Sequence, residues 1–361
     1  MNGFERIMAV FRGEVPDCIP LWELGISQEV IDKLYKDENL SLAEFVERMD
    51  YDGITVREEM KLTYIDSLTF YDEWGIVRRI GEKGTHYYVE GPIKDEATLD
   101  KYSPPDPYAK HRFVTLRKVV DKYKYKKAIV LLSHDAFEFS YYLCGMENLF
   151  MFYVTNPDFV HRLARKVIEY KKAVIERAIK EGVDIILSGD DYAYHQGLMM
   201  SRAHFEEYVL PYLKEVVELT KRYDKYFIKH CDGNIWSIID DFIEIGVDGL
   251  HPLEPIAGMD IGKVKEKYGD KLVLIGNVDC SSLLTWGSEE EVCEATKETI
   301  AKAAPNGRYI LSSSNSIHSS VKAENLVALI RTARKYGKYP LDEKFVEEYK
   351  NRNYILKYLQ H

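Results

Sequence analysis

Short apolar segments that each end in a cluster of polar residues recur along this chain. A helical pattern of apolar and charged residues follows each of them. In a sheet that is covered on both faces, strands read as continuous apolar runs, and the polar residues collect beyond their ends. The clearest segments, each with polar residues that follow it, are Ile185–Leu187 with Asp190 and Asp191, Tyr226–Ile228 with His230 and Asp232, Gly249–Leu250 with His251 and Glu254, Leu272–Ile275 with Asn277 and Cys280, and Tyr309–Leu311 with Ser312 and Asn315.

This alternation predicts an α/β fold, a (β/α)8 barrel whose active site lies in the loops that follow the strands. The segments Trp22–Gly25, Asp52–Val56 and Ala128–Leu132 supply the three earlier strands, and helices surround the first of them within residues 1–50. A barrel occupies ~250 residues as one domain, so we expect residues 1–361 to form a single barrel domain with additions at both ends.

One segment interrupts the alternation of strands and helices. Thr69–Ile80 and His86–Val89 carry alternating aromatic and charged residues on either side of Gly81–Gly84. Two such runs around a glycine-containing turn are typical of a β-hairpin. The sequence therefore predicts a hairpin inserted between the second and third strands.

Charge and cysteine content exclude several classes of function. The formal net charge is -10, which gives no attraction to nucleic acid or to anionic lipid. No apolar run approaches the ~20 residues of a membrane span, and Met1–Arg12 has no signal-peptide core, so we expect a cytoplasmic protein. The five cysteines form no regular framework and are expected to be reduced. The oligomeric state is not fixed by these features.

The segment from His230 to Asn234 carries the strongest indication of a metal. His230 and Asp232 are two apart on a strand end, so both can face one point while Cys231 faces away. Catalytic zinc takes three nitrogen, sulfur or oxygen ligands from protein, and the neighbouring strand ends add Glu254 and Cys280 as candidates. The alternative is an ordinary hydrogen-bonded pair of His230 and Asp232, with Cys280 as a small buried residue.

Asp190 and Asp191 place two carboxylates at one strand end, where they suit acid–base catalysis or recognition of a positive or NH-rich group. The alternative is that one caps the following helix and the other is solvated. His134 adds an acid–base group at the third strand. Arg57 can clamp a carboxylate, although a salt bridge to Glu58 or Asp135 is the more common outcome.

Aromatic residues near these loops offer surfaces for a flat ligand. Tyr141 and Tyr192 belong to two such groups, one within 137–142 and one within 192–194. Such rings more often form core beneath a loop. Both interpretations remain open from the sequence.

The order of segments resembles the uroporphyrinogen decarboxylase superfamily over nearly the whole chain. That superfamily also contains corrinoid-dependent methyltransferases. The features that carry the resemblance are the Arg6–Val10 helix with the following Gly13–Pro20, Asp72-Glu73-Trp74-Gly75, Gly189-Asp190-Asp191, Pro211-Tyr212-Leu213, Gly276-Asn277-Val278-Asp279 and Ser314-Asn315-Ser316-Ile317.

The resemblance to the decarboxylase itself is incomplete at its arginine-rich first loop, which here reads Leu21–Ser27 without arginine. Glu23 takes part of that place, and a cleft with Glu23, Asp190, Asp191 and Glu254 would repel a substrate with eight carboxylates. The resemblance implies that Tyr141 matches the decarboxylase's site tyrosine and Asp190 its pyrrole-binding carboxylate.

The methyltransferase branch is similar in holding zinc by His-x-Cys at the fifth strand and a Cys at the eighth. Here these positions read His230-x-Asp232 and Asn315, so only the histidine matches, and a rebuilt site with Glu254 or Cys280 would suit an oxygen-bearing substrate. The resemblance implies a methyltransferase that works with a corrinoid protein, with zinc acting on the substrate heteroatom. A cofactor-free tetrapyrrole decarboxylase is the second hypothesis, and a barrel that only binds a corrinoid or tetrapyrrole is the third.

Overall fold

The structure is a computed structural model that describes residues 1–36, 38–81 and 86–359. The strands are β1 (Gly53–Arg57), β2 (Leu62–Tyr64), β3 (Thr69–Asp72), β4 (Val77–Ile80), β5 (His86–Glu90), β6 (Ala128–Ser133), β7 (Ile185–Ser188), β8 (Ala193–Tyr194), β9 (Gly197–Leu198), β10 (Tyr226–His230), β11 (Gly249–His251), β12 (Val273–Val278) and β13 (Tyr309–Ser313).

Seven parallel strands within the described part of the chain form the main sheet, in the order β1-β6-β7-β10-β11-β12-β13. These are seven of the predicted strands, and the α/β class is confirmed. In β6, β7, β10, β12 and β13, alternate side chains enter two different apolar clusters. Ile185 and Leu187 join the cluster enclosed by the sheet, whereas Ile186 and Phe227 join the cluster under the helices. Burial on both faces explains why these strands read as continuous apolar runs.

The predicted first strand, Trp22–Gly25, is not a strand in the structure. Two isolated parallel bridges flank it, one between Leu21 and Leu311 on β13 and one between Ile26 and Ile317, while the Asp52 N–H before β1 donates to the Leu21 carbonyl at 2.8 Å. Between these bridges, side chains form hydrogen bonds in place of a regular backbone ladder. Thr55 Oγ1 donates to the Glu23 carbonyl at 2.9 Å, and the Glu23 carboxylate accepts the Ser313 N–H at 3.1 Å.

The predicted hairpin is a larger element than the sequence indicated. Strands β2, β3, β4 and β5 form a four-stranded antiparallel sheet, and the segment predicted as one strand, Thr69–Ile80, is two strands joined by a turn at Gly75 with φ of +75°. Asp72 accepts the N–H groups of Trp74 and Ile76 in that turn. The predicted turn at Gly81–Gly84 lies outside the described residues apart from Gly81.

Helices pack on the outer face of the main sheet. None of the helices in the described ranges is both long and apolar enough to cross a bilayer. Three short 3-10 helices cover Lys110–Phe113, Pro255–Ala257 and Tyr354–Lys357. The α-helices are α1 (Gly3–Phe11), α2 (Gln28–Leu34), α3 (Leu42–Arg48), α4 (Glu96–Lys101), α5 (Val114–Tyr123), α6 (Phe137–Cys144), α7 (Met146–Thr155), α8 (Pro157–Glu181), α9 (Arg202–Tyr208), α10 (Leu210–Arg222), α11 (Ile239–Glu244), α12 (Ile261–Tyr268), α13 (Leu283–Trp286), α14 (Glu289–Ala303), α15 (Ala323–Tyr336) and α16 (Glu343–Tyr349).

Candidate active site

The polar residues that follow the parallel strands meet at one end of the main sheet, here called the mouth. The strand register explains why they meet. Ser133 on β6 lies beside Ser188 on β7, Ser188 lies beside Lys229 on β10, and His230 lies beside His251 on β11. Because parallel strands in register end at the same level, the residues just beyond them form one group of loops.

Asp191, His230 and Asp232 form the first side-chain cluster of the mouth. His230 Nε2 lies 3.6 Å from Asp191 Oδ1 and 3.6 Å from Asp232 Oδ1. Asp191 Oδ1 also accepts the Asp232 N–H at 2.7 Å, while the buried Asp232 Oδ1 has no hydrogen-bond partner among the described residues. The opposite ring nitrogen, His230 Nδ1, lies 2.7 Å from Nδ1 of the fully buried His251. Three ligand atoms thus converge on one point, and a second histidine orients the first.

Burial and crowding of carboxylates set the protonation of this cluster. Burial, with the charges of Asp191 and Glu254, raises the pKa of Asp232 to about 8. Burial also raises the pKa of Asp191 and lowers the pKa of His230 to about 3, so the imidazole is neutral at pH 7. Two buried carboxylates beside a neutral imidazole repel each other when both are ionised. Either a proton on one of them or a bound cation removes that repulsion.

His134, Glu138 and Asp190 form the second cluster. His134 Nδ1 lies 2.7 Å from Asp190 Oδ1 and 3.5 Å from Glu138 Oε2. The other oxygen of Asp190 accepts the N–H of Glu138 at 3.1 Å, in the first turn of α6. Burial, followed by the charges of Asp190 and Asp191, raises the pKa of Glu138 well above its ordinary value, and burial lowers the pKa of His134 to about 3. At neutral pH the imidazole of His134 is therefore neutral, and Glu138 holds a proton more readily than an ordinary glutamate.

Asp190 does not cap the helix that follows it in the chain, which was the alternative to a functional role. The next elements are β8 and β9, and Asp190 instead accepts from the start of α6, which precedes it. The side chain of Lys229 helps to hold the backbone at Asp190 in place. Its Nζ is fully buried and donates to the Asp190 carbonyl at 2.7 Å.

Tyr192 and Asp135 lie beneath the mouth rather than in it. The Tyr192 ring is fully buried, and its hydroxyl donates to Asp135, whose carboxylate also accepts from Ser188 Oγ at 2.7 Å. Burial, with the charge of Asp190, raises the pKa of Asp135 to about 6. In this position Tyr192 supports the loop that holds Asp190 and has no surface for a ligand.

Glu254 and Cys280, predicted as metal ligands with His230 and Asp232, have other partners. Glu254 Oε2 accepts the Gly233 N–H at 2.8 Å. The Cys280 thiol lies 3.6 Å from Ser314 Oγ, and burial raises its pKa to about 12, which keeps it neutral. The potential ligand atoms that lie close together here belong to Asp191, His230 and Asp232. Cys231 faces away from the cluster, as expected, and its sulfur accepts the Tyr192 N–H at 3.2 Å.

Asn315 and Glu23 come from opposite ends of the chain and flank the mouth. Asn315 Nδ2 donates to Asp232 Oδ2 at 2.5 Å, which leaves the other oxygen of Asp232 directed at His230. Glu23 is buried, and its carboxylate accepts from Ser312 Oγ at 3.1 Å and Ser313 Oγ at 2.6 Å. Burial raises the pKa of Glu23 to about 7.

Tyr141 and Arg57 lie on the other side of the mouth. Tyr141 is half-buried on α6, and its ring packs against Phe137 and Tyr142. Arg57 ends β1, and the salt bridge to Glu58 or Asp135 that sequence reasoning favoured is absent among the described residues. Glu58 instead accepts from Lys171 Nζ at 3.1 Å.

Two residues that the sequence analysis did not propose complete these clusters. Glu138 lies within an aromatic run, and the signal for it was its spacing of four residues from His134 on the way into a helix. His251 was noted only as a polar residue after a strand. Its pairing with His230 depends on the alignment of β10 with β11, which no local pattern encodes.

The comparisons with known proteins agree with this architecture. The family described as uroporphyrinogen decarboxylase (URO-D) matches residues 2–336. The chain belongs to this family. Its similarity to a uroporphyrinogen decarboxylase of Trichodesmium erythraeum is 24% identity over 352 residues, covering 91% of this chain and 95% of that protein.

Methyltransferases of the family are similar as well. The methylcobamide:CoM methyltransferase MtbA of Methanosarcina acetivorans is 28% identical over 189 residues, 52% of each chain. A solved methyltransferase from Methanosarcina mazei has a TM-score of 0.74 and 17% identity, covering 93% of this chain and 99% of its own, a likeness that shows the shared fold. The family therefore includes enzymes of two reaction types, decarboxylation and methyl transfer.

Proposed function

We propose that this member of the uroporphyrinogen decarboxylase family is a metal-assisted methyltransferase that moves a methyl group from a small substrate to a corrinoid carried by a separate protein. The observation that carries the proposal is the Asp191–His230–Asp232 cluster, in which one nitrogen and two oxygens face one point. The similarity to a protein named as a methylcobamide methyltransferase supports it. This sequence contains no Asp-x-His-x-x-Gly corrinoid motif, so the corrinoid belongs to the partner.

The cluster fits a divalent cation such as zinc. One nitrogen and two carboxylate oxygens match the three protein ligands of a catalytic zinc site. A cation would give the unpartnered Asp232 Oδ1 a partner, and it would favour the ionised form of Asp232, whose pKa is raised by burial and then by Asp191 and Glu254. Donation from His230 Nδ1 to His251 would fix the tautomer that leaves Nε2 free, which is the usual support for a ligating histidine.

A bound zinc ion would supply Lewis acidity to the substrate's heteroatom. The chain's own residues then orient the substrate and supply a proton. Methyl transfer to a corrinoid would break the bond between the methyl carbon and the heteroatom, and the heteroatom would take up a proton. Glu138 lies against Asp190 and Asp191, and burial and their charges raise its pKa well above its ordinary value, so it is the best-placed donor. His134 and Asp190 position it.

The remaining predicted residues have supporting parts in this proposal. Asn315 holds Asp232 in place, and Tyr192 holds Asp135 under the loop of Asp190. Tyr141 offers an aromatic wall on α6. The Glu23 carboxylate bonds to Ser313 on β13, and the Glu23 carbonyl accepts from Thr55 on β1. We infer that the segment around Leu21 and Glu23 lies between β13 and β1 and so closes the seven-stranded sheet into a barrel.

Decarboxylation of a tetrapyrrole is the second candidate, because the relative similar over 91% of this chain bears that name. The mouth does not favour it. The loop from Leu21 to Ser27 contains no arginine, and the buried carboxylates of the mouth would repel a substrate with eight carboxylates. Against those eight carboxylates, the unpaired Arg57 offers one positive charge in the described part of the mouth.

A methyl-transfer assay tests the proposal. Zinc-loaded protein is mixed with chemically reduced cobalamin and a panel of methyl ethers, methylamines and methanol, and methylcobalamin is followed by absorbance. We expect at least one donor to be used by the wild type, no turnover by His230→Ala, and normal turnover by the control variant His204→Ala on α9, whose half-buried ring packs against Tyr153 and Tyr208. Decarboxylation of uroporphyrinogen by the wild type, with no methylcobalamin from any donor, would contradict it.

A further inference from the structure

Arg57 is a cation without a counter-ion at a mouth crowded with carboxylates. Its side chain is open to solvent at the end of β1, and no hydrogen bond or ion pair joins it to any residue in the described ranges. Arginine and carboxylate pair readily and often bidentately, so an unpaired guanidinium here is unusual. The carboxylates nearby are engaged elsewhere, as the pairing of Glu58 with Lys171 and of Glu23 with Ser313 shows.

The guanidinium is near enough to the histidines of both clusters for its charge to act on them. Burial is the main cause of the lowered pKa of His134 and of His230, and the positive charge of Arg57 contributes to both. An oxyanion from outside the chain would supply the missing counter-charge.

Gly25 lies between Arg57 and Ser316. A Cβ added to Gly25 would lie 3.7 Å from Arg57 Nη2 and 3.2 Å from Ser316 Oγ, so a side chain there would crowd the hydroxyl. The Ser316 hydroxyl, like the guanidinium, has no hydrogen-bond partner in the described part of the chain. Two unused donors therefore border the small space beside the Cα of Gly25.

The backbone around this space is held firmly by pairing between two loops. The Ile317 N–H donates to the Gly25 carbonyl at 2.8 Å, and the Ser27 N–H donates to the Ile317 carbonyl at 2.7 Å. The Ser316 N–H is taken by the Asn315 side chain at 2.6 Å, so only its hydroxyl is available. The donors are thus fixed in place before a ligand arrives, which lowers the entropy cost of binding.

We propose that Arg57 and Ser316, on either side of Gly25, form a subsite for the oxyanion group of a small substrate, a carboxylate or a sulfonate. The inference rests on the proposed methyl transfer, because it places the substrate's charged end at this subsite and its methylated end at the Asp191–His230–Asp232 cluster. A single charge is required. The carboxylates of the mouth would repel the additional charges of a polyanion, whereas a single oxyanion can bind to the Arg57 guanidinium and the Ser316 hydroxyl.

Isothermal titration of zinc-loaded full-length protein with matched probes tests the subsite. Methoxyacetate and 2-methoxyethanesulfonate carry the oxyanion, and 2-methoxyethanol is the neutral analogue. We expect at least one anion to bind more tightly than the alcohol, and Arg57→Gln to weaken that anion by about 10- to 100-fold, the range for a charge-assisted hydrogen bond. Which anion binds better identifies the oxyanion of the substrate.

Three further variants separate the subsite from general effects. Ser316→Ala should weaken the anion by several-fold, Gly25→Ala should weaken it by filling the space, and Arg79→Gln, an exposed arginine on β4, should change nothing. If Arg57→Gln fails to fold by circular dichroism, Arg57→Lys and Ser316→Ala provide the test. Equal binding of methoxyacetate, the sulfonate and the alcohol overturns the inference, and so does anion binding that is indifferent to Arg57 and Ser316.

The two proposals fail in distinguishable ways. A wild-type protein that takes up no metal and turns over no methyl donor contradicts the methyltransferase, whatever the anions do. A protein that holds zinc in both the wild type and Arg57→Gln, yet binds the anions no better than the alcohol, contradicts the subsite alone.

Discussion

The two clusters at the mouth contain the same residue types, one histidine and two carboxylic acids, but differ in how far their hydrogen bonds are satisfied. In the His134–Glu138–Asp190 cluster, Asp190 uses both oxygens, one toward His134 Nδ1 at 2.7 Å and one toward the Glu138 N–H at 3.1 Å. In the Asp191–His230–Asp232 cluster the histidine nitrogen lies 3.6 Å from each carboxylate, and Asp232 Oδ1 has no partner among the described residues.

The difference is the basis of the two tasks that the proposal gives to similar residues. A cluster whose atoms already bond to each other at hydrogen-bond distance is arranged to hold and move a proton. A cluster whose ligand atoms stand slightly apart around an unsatisfied oxygen is arranged for a cation. Adjacent residues, Asp190 and Asp191, belong one to each cluster, so the two tasks lie side by side.

The largest effect that separates the clusters is expected from their histidines. His230→Ala should reduce bound zinc from about one ion per chain to background, because it removes the single nitrogen ligand. His134→Ala should leave the zinc content unchanged. Elemental analysis of the two variants, purified side by side without chelator, measures this. If both variants fold and lose zinc equally, the assignment of the metal to one cluster alone is contradicted.

A smaller effect, a slower rate of methyl transfer without loss of zinc, is expected from a change in the His134–Glu138–Asp190 cluster. Glu138→Gln keeps the size of the side chain but removes the acidic proton, and should slow methyl transfer by about 10²- to 10⁴-fold. Zinc content should stay at the wild-type level. Glu207→Gln, on the surface of α9, is the matched control for the substitution. Normal turnover by Glu138→Gln would show that the proton comes from elsewhere.

Support of His230 by His251 should be worth less than a direct ligand. His251→Gln removes the ring that meets His230 Nδ1 and should weaken zinc binding by about 10- to 100-fold, the usual cost of losing such a partner. Competition with a coloured chelator gives the affinity. An unchanged affinity in a folded variant would mean that His251 has only a packing role.

The pH dependence of zinc binding is the finest test of the comparison. Burial and the neighbouring carboxylates raise the pKa of Asp232 to about 8, so in the metal-free protein this carboxyl holds a proton at pH 7. Zinc must displace it, and the affinity should therefore fall as the pH is lowered below 8. Calorimetry in buffers of different ionisation enthalpy should show about one proton released at pH 7 and less at pH 9. Release that does not change with pH would contradict the assignment.

The fold was largely predictable from the sequence because the parallel strands are buried on both faces. Seven strands were located within a few residues, and most extend one or two residues further than predicted, as Tyr226–His230 does, since polar residues at the strand ends still pair. The segment Trp22–Gly25 failed because its pairing uses the side chains of Glu23 and Thr55. A local pattern does not distinguish such contacts from a ladder.

The site was less predictable, because its grouping depends on strand register. The sequence placed His230 and Asp232 together by their spacing, but it could not show that Asp191 completes the group while Glu254 turns to the Gly233 N–H. The salt bridge expected of Arg57 was the statistically common outcome. It failed because Glu58 lies on the far side with Lys171 and Tyr170, in contacts between distant segments.

A zinc-edge anomalous difference map from crystals grown with zinc tests the central claim most directly, because it locates the ion without any assumption about activity. We expect one strong peak per chain, within ligand distance of His230 Nε2, Asp191 and Asp232, and none between His134, Glu138 and Asp190. A peak at the second cluster, or no peak at the first while the protein is folded, would contradict the assignment of the cation to Asp191, His230 and Asp232.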